Sequence, residues 1–539
     1  MTERDFERDG GLTRRQVLHG ALAGGAMLSA GGLLAACGGS SSSASSSAGS
    51  SPASTGTLKA GGNLRVGATG GGAKDTIDAQ LPTADPDIMR CWNLYEPLAV
   101  RPPSFGPLEM MVAESIEAEH GKADSWIVKI RPGIEFHNGK SVTPEDVVFS
   151  LQRILDPKNP KVGAASIGYV DAANVKKSGK NEVHIPLKFA NAGFLDDLGQ
   201  YFNSIVPVGY NPAKPVGTGA FMFESFTAGQ QSVFKKFPNY WQKGKPYADQ
   251  LTIIDFTDDT ARVNALLGGQ VDAIDNLPTG QIAQVQGNSA LKVLISHTGQ
   301  WQPFTMRIDQ APFSDVRVRQ AMRLIVNRPQ MVEQVLSGQG RVANDLYAPF
   351  DPAFNSTLPQ RAQDVAQAKS LLKAAGHPGL SVQLVTAPVF QGVVQAAQVF
   401  AQQASAAGVK VSLRKLDTGT FYDPTKYLKW TFAQDFWATR EYLPQVAQGS
   451  LPGSPFNETH WGAGKFEKLI NQARAELDET KRISILHQAQ AMEYTQGGYI
   501  IPYFSNQIDA YSGKLGGFVE AKSGFPLGNY WFKNVGFTA

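Results

Sequence analysis

Cysteine is almost missing from this chain: 539 residues hold two, Cys37 and Cys91. Two thiols exclude a disulfide framework and a cysteine-rich metal centre. The eight histidines (His19, His120, His137, His184, His297, His377, His460 and His487) are scattered, without the local spacing of a preformed metal cluster. Catalytic signatures are missing too, since there is no GxSxG elbow, no HExxH pair and no dinucleotide fingerprint. Residues 67–74 briefly resemble a phosphate loop, but Lys74 comes one place late and Asp75 stands where Ser or Thr would hold magnesium. No catalytic residue, metal or cofactor is therefore expected. An excess of charge of either sign is missing, 50 Lys and Arg against 47 Asp and Glu giving a net of +3, so no nucleic-acid partner is expected. Beyond residue 36 the apolar runs are short and broken by Pro, Gly and charge, which predicts a soluble body with no further membrane span. No internal repeat or heptad run occurs.

What is present begins with Thr13, Arg14 and Arg15, followed by a Gly/Ala-rich apolar run over residues 17–36 that ends at Cys37. This pattern predicts an export signal. The twin arginines resemble the Tat type, and Leu34, Ala35, Ala36 and Cys37 resemble a lipobox, whose cysteine receives diacylglycerol. The run is too weakly hydrophobic to favour a spanning helix. Residues 38–51 are almost all Gly, Ser and Ala and cannot bury enough apolar surface to offset chain entropy, so a flexible tether is expected. Acylation of Cys37 would leave Cys91 without a partner, as a buried thiol. The rest is too long for one core and long enough for two or three packed domains.

From Gly61 onward, short strands alternate with capped helices, which predicts an α/β protein. Residues 126–130 alternate as a strand, Arg131, Pro132 and Gly133 turn the chain, and a hairpin-like unit follows around Asn138 and Gly139. Thr143, Pro144 and Asp146 then start a helix, with the hydroxyl as cap, the proline in the first turn and the carboxylate at the positive dipole end. The same logic starts helices at Asp258, Asp315, Asn327 and Asp478, with Gln330 as the capping-box partner of Asn327. Between residues 364 and 413 the order helix, strand, helix, strand predicts a parallel sheet.

These segments, in order, resemble the extracellular solute-binding proteins of family 5, the oligopeptide, dipeptide and nickel receptors of ABC importers. The most specific stretch is residues 126–157, WIVKIRPGIEFHNGKSVTPEDVVFSLQRILDP. Residues 216–241, 268–274, 313–327 and 481–502 follow in family order. The resemblance implies a class II periplasmic-binding-protein-like fold, with two lobes built from three domains, mixed sheets and a hinge. Residues 1–36 would be the signal and 37–60 the tether. Domain I would comprise 61–90, 206–305 and 500–539, domain II 91–205 and domain III 306–499, with crossovers near 206–215 and 500–506. It further implies a monomer anchored through Cys37 outside the cytoplasmic membrane, which captures a solute and delivers it to permease and ATPase subunits. A short peptide leads as solute, with opines, oligosaccharides, polyamines, nickel chelates or haem as alternatives, and a sensing lipoprotein without transport role shares the signature.

Peptide-binding members hold the ligand's amino terminus with an acidic residue in a motif like W, x, A, D, Y followed by P. This chain reads Trp437, Ala438, Thr439, Arg440, Glu441, Tyr442, Leu443, Pro444. By that resemblance Glu441 is the counter-charge for an ammonium group. Glu replaces Asp, and Arg440 beside it could neutralise Glu441 or hold a carboxylate itself. A solvated surface ion pair is the bland alternative. Trp437 and Tyr442 are expected to offer aromatic walls to the solute. Trp92, Asn93, Tyr95 and Trp301 join them by family order, and His137 in the signature turn is expected to satisfy backbone groups.

Overall fold

The computed structural model describes residues 57–539. The signal, the lipidation of Cys37 and most of the tether lie outside the described residues. Leu58–Lys59 already forms a strand against Gly536–Thr538, so regular structure starts before Gly61.

Helices begin where polar side chains can take up free amides. Asp258, Asp315, Asn327, Asp364 and Asp478 each accept a backbone N–H at their helix starts, an arrangement worth about 1 kcal/mol apiece. At the helix Pro144–Ile154, the Asp146 carboxylate accepts from the Thr143 amide (2.9 Å) and hydroxyl (2.8 Å), and its other oxygen accepts from the Val208 amide (2.8 Å). The expected capping box at Asn327 differs in one respect. Its amide donates to Gln403 (3.0 Å), and Gln403 in turn donates to the Gln330 side chain (2.9 Å), so a residue from a packed helix takes the reciprocal role.

The signature turn is tied to a second matched segment through His137. Its Nε2 donates to the Gly219 carbonyl (2.9 Å) and its Nδ1 accepts from the Gly217 amide (3.2 Å), while burial pulls the ring down to about 4. Both glycines allow a close approach: a Cβ on Gly217 would meet the Leu94 carbonyl oxygen at 2.0 Å, and one on Gly219 the Asn93 oxygen at 2.4 Å.

Four sheets organise most of the described chain. The largest runs Leu291–Trp301, Tyr503–Ser512, Ala273–Ile274, Asn63–Thr69, Gln250–Phe256, Gln231–Lys236, Phe221–Thr227, mixing parallel and antiparallel pairs. Its core includes Leu64, Val66, Phe221, Leu251 and Tyr511. A second body has an antiparallel sheet, Ala113–Ala118, Ser125–Ile130, Glu182–Pro186, Lys176–Gly179, under the helix Pro144–Ile154. A third has the order Lys410–Lys415, Ser381–Thr386, Phe432–Gln434, Phe304–Met306, Tyr499–Ile500, and its first two strands are parallel as expected. A small sheet joins Leu58–Lys59, Gly536–Thr538 and Leu515–Gly516.

The long strands Leu291–Trp301 and Tyr503–Ser512 pair from Leu291 opposite Ser512 to Trp301 opposite Phe504. Past that end, both chains pass into the five-stranded sheet, through Gln302 and Pro303 on one side and Ile501 and Pro502 on the other. One crossover thus falls within the expected 500–506. The other is at 302–303 rather than 206–215, because that earlier segment returns the chain from the second body to the large sheet. Cys91 is buried, with its thiol against the Ala79 and Tyr201 carbonyls. Among the described residues, no helix is long and apolar enough to cross a membrane.

Candidate functional site

Trp301 ends the long strand at the crossover, and the loop of Trp437 folds onto it as one more extended rung: the two residues exchange backbone hydrogen bonds of 3.0 and 2.9 Å. Their indoles lie nearly parallel (centroids 5.9 Å, 12°). Trp301 also stacks on Tyr347 (5.2 Å), and Tyr347 on Tyr442 (5.3 Å), giving a continuous ladder of four rings. The hydroxyls of Tyr347 and Tyr442 both donate to Glu493, at 2.7 and 2.6 Å. Burial pushes Glu493 up to about 7 despite those two bonds. Three residues read as solute walls, Trp301, Trp437 and Tyr442, are therefore almost wholly buried, mainly against one another. What they position is the stretch between them. Thr439 accepts from the Gly299 amide (2.9 Å), and the Tyr442 amide donates to Asp351 (2.7 Å).

Glu441 stands at the start of the helix Tyr442–Gly449. It is not a solvated surface group, being 6 % exposed. Its counter-charge is Arg101, from the second body, whose Nε lies 2.5 Å from the carboxylate, whereas Arg440 directs its guanidinium toward the Trp437 ring (5.8 Å). Arg101 is also paired with Asp196 of its own body. Burial and the Asp196 charge push Glu441 up to about 8, the Arg101 charge opposing them. Burial likewise lifts Asp197 to about 7, with the positive charge of Arg440 among the influences holding it down. Between the bodies lies a cavity of about 380 Å³ whose wall includes Arg101, Asp196, Asp351, Glu441, Glu479 and Arg482.

The other expected residues gather elsewhere. On the helix Asp85–Leu94, Asn93 donates to the Met89 and Tyr530 carbonyls (2.8 and 3.0 Å), and just beyond it Tyr95 donates to Ile77 (2.8 Å) beside the Tyr210 hydroxyl (2.7 Å). Both are buried structural contacts. Trp92 is half-buried, edge-on to Trp531 and tilted on Tyr201. These three line a small space of their own near Glu96, not the Arg101 cavity.

Sequence reasoning missed Arg101, Asp196, Asp351 and Arg482, which no local motif marks. It also missed a buried cluster behind the ladder, where Tyr422 and Tyr427 donate to Asp435 (2.6 and 2.8 Å), Tyr427 approaches Glu458 (3.2 Å) and Tyr499 donates to Glu458 (2.5 Å). Only the placement of Asp435 two residues before Trp437 could have hinted at it.

Mixed-sheet bodies joined through paired crossovers, with charged walls meeting between them, define a two-lobed binding protein of the class II periplasmic type. Residues 108–454 match the model of the bacterial extracellular solute-binding proteins, family 5 (middle region), and the chain belongs to that family. It is 27 % identical over 506 residues to the dipeptide-binding protein of Escherichia coli K12, covering 84 % of this chain and 92 % of that one. In fold it is similar to the ABC transporter-associated periplasmic binding protein DppA of Helicobacter pylori in complex with the peptide STSA (TM-score 0.73, 19 % identity, 89 % and 99 % covered). It is equally similar to AgaA of A. tumefaciens R10 in complex with agropinic acid (TM-score 0.73, 23 % identity, 89 % and 99 % covered).

Proposed function

We propose that this protein is the substrate-binding component of an ABC importer and captures a short peptide by closing its lobes. Export by the Tat-type signal and acylation of Cys37 would tether it, as a monomer, at the outer face of the cytoplasmic membrane, where permease and ATPase subunits receive the solute. The observation that carries the peptide reading is the cavity of about 380 Å³, whose wall presents both signs: the Arg101 and Arg482 guanidiniums and the carboxylates of Asp351, Glu441 and Glu479. A zwitterion with separated ends suits such a wall, and ligand pockets are typically of about this size or larger. The Trp437–Tyr442 loop supplies Glu441 to one side and is braced from behind by Trp301, with Arg440 beside it over the Trp437 ring, while Trp92, Asn93 and Tyr95 line a separate small space in the first body. Lobe closure follows only to the extent that solute prefers the closed arrangement. The small helix caps and the aromatic ladder keep the two walls rigid enough for that preference to be expressed.

A thermal-shift screen of the refolded mature chain tests this, with di- to pentapeptides, opines, polyamines, oligosaccharides, haem and nickel chelates as probes. A solute at 100 times its Kd stabilises by about 2.7 kcal/mol. Peptides raising the midpoint support the reading, with the shift lost in Glu441→Gln if that residue takes the ammonium group. A shift by another class alone replaces peptide as the solute, and an acidic opine is then favoured by Arg101 and Arg482, whose guanidiniums on the cavity wall suit a carboxylate.

A further inference from the structure

We propose that the Asp196, Arg101 and Glu441 junction is a proton-coupled latch: closing the lobes takes up a proton, so they are held shut more firmly in acid than in alkali. The inference rests on the lobe-closing reading above and adds its regulation. It follows from counting charges in a confined space. Arg101 and Asp196 belong to the second body and pair within it, whereas Glu441 reaches Arg101 from the third. Opening the lobes separates Glu441 from that pair; closing them sets a second carboxylate on a guanidinium already neutralised.

The cavity wall around Glu441 carries more carboxylates than guanidiniums, even with Arg482 acting on Asp196. Asp351, which holds the Tyr442 and Ala353 amides (both 2.7 Å), faces it from its own body. Glu479 and Arg482, from the first turns of the helix Glu479–Gln496, add one charge of each sign to the wall. Arg440 is next to it in the chain, turned over Trp437. Behind Asp196, Asp197 is engaged by the Tyr169 hydroxyl (2.6 Å). With Asp196, Asp351 and Glu441 bearing on Arg101 in a largely shielded space, one carboxyl is favoured as the neutral acid. Glu441 meets that condition only when the lobes are shut, where burial and Asp196 push it up to about 8; in open solvent it returns toward the ordinary glutamate range near 4.3. The sign is fixed by linkage. A carboxyl raised in the closed state favours closure fully below its ordinary value, and the advantage is lost as pH rises toward the closed-state value, by up to about tenfold per pH unit in the closed-to-open ratio.

The test reads closure without solute. Donor and acceptor dyes are placed through Lys158→Cys and Lys369→Cys, at exposed sites on the second and third bodies, in a Cys37→Ser chain whose remaining thiol, Cys91, is buried. Single-molecule energy transfer is followed from pH 5.5 to 8.5. The closed-to-open ratio is expected to fall at least tenfold between pH 5.5 and 8. Glu441→Gln, a permanently neutral mimic, is expected to flatten the profile and to be more closed than the parent at pH 8. Asp196→Asn, which frees Arg101 for Glu441, should reduce the slope by an independent route. A flat parental profile, a slope that survives Glu441→Gln, or lobes that open at pH 8 in that variant as in Arg101→Met would each overturn the latch, the last in favour of a plain ion pair. If peptides fail in the thermal screen, this readout is untouched; if peptides bind but the lobes show no proton dependence, the latch alone is lost.

Discussion

Two contacts made by the same short loop are built from opposite materials. On one side Trp437 stacks on Trp301 and Tyr442 on Tyr347, rings fixed inside the third body and its crossover. On the other, Glu441 meets Arg101 from a different body, through charge. Ring stacking in a sealed core is indifferent to salt and nearly so to pH, so the ladder sets where the loop stands at all times. An ion pair between separable bodies depends on protonation and on whether the bodies are together. The difference assigns the roles: the ladder aims the loop, and the charges respond to what comes between the lobes.

Breaking the ladder should have the largest effect. Trp301→Ala leaves a hole between Trp437 and Tyr347 and is expected to cost about 3 to 5 kcal/mol of unfolding free energy. Denaturant melts with an unchanged slope would check it. A loss below about 1 kcal/mol would mean that the stack is not what holds the loop.

That contrast also explains what the sequence could reveal. Helix starts at Asp258, Asp315 and Asp478 were legible because a cap and its amide lie only two or three residues apart. The parallel order of 381–386 and 410–415 was legible from strand and helix periods. Trp437 and Tyr442 were found as aromatics beside a motif, but a ring buried in a stack and a ring facing solute read alike in sequence. Arg101 was invisible, since nothing near it in the chain signals that Glu441 will meet it. The crossover at 302–303 was missed for a similar reason: it is defined by which sheets the flanking strands join.

A second prediction sharpens the comparison by asking how far charge reaches into the ladder. Glu493 ties Tyr347 to Tyr442 and is pushed up to about 7 by burial. Its folded-state value lies above its ordinary one, so its contribution to stability is full below about pH 4.3 and declines as pH rises to about 7, by at most about 1.4 kcal/mol per pH unit. Glu493→Gln removes that dependence. The deficit of the variant relative to the parent, read as a difference in Tm, should be larger at pH 5 than at pH 8. Equal deficits would show that Glu493 does not titrate in this range, whereas the other buried carboxyls are shared by both chains and cancel.

The smallest expected effect is on the ionic side. Arg101→Met removes the counter-charge of both Asp196 and Glu441, and in a sealed core that would cost several kcal/mol. Here the bodies can part and let water reach both carboxylates, and Glu441 can take a proton instead. The global unfolding free energy should therefore change by about 1 kcal/mol or less, within the range of solvent-accessible pairs. A loss comparable to that of Trp301→Ala would mean that the second and third bodies unfold only as one unit, and the division between a rigid ladder and a responsive junction would no longer hold.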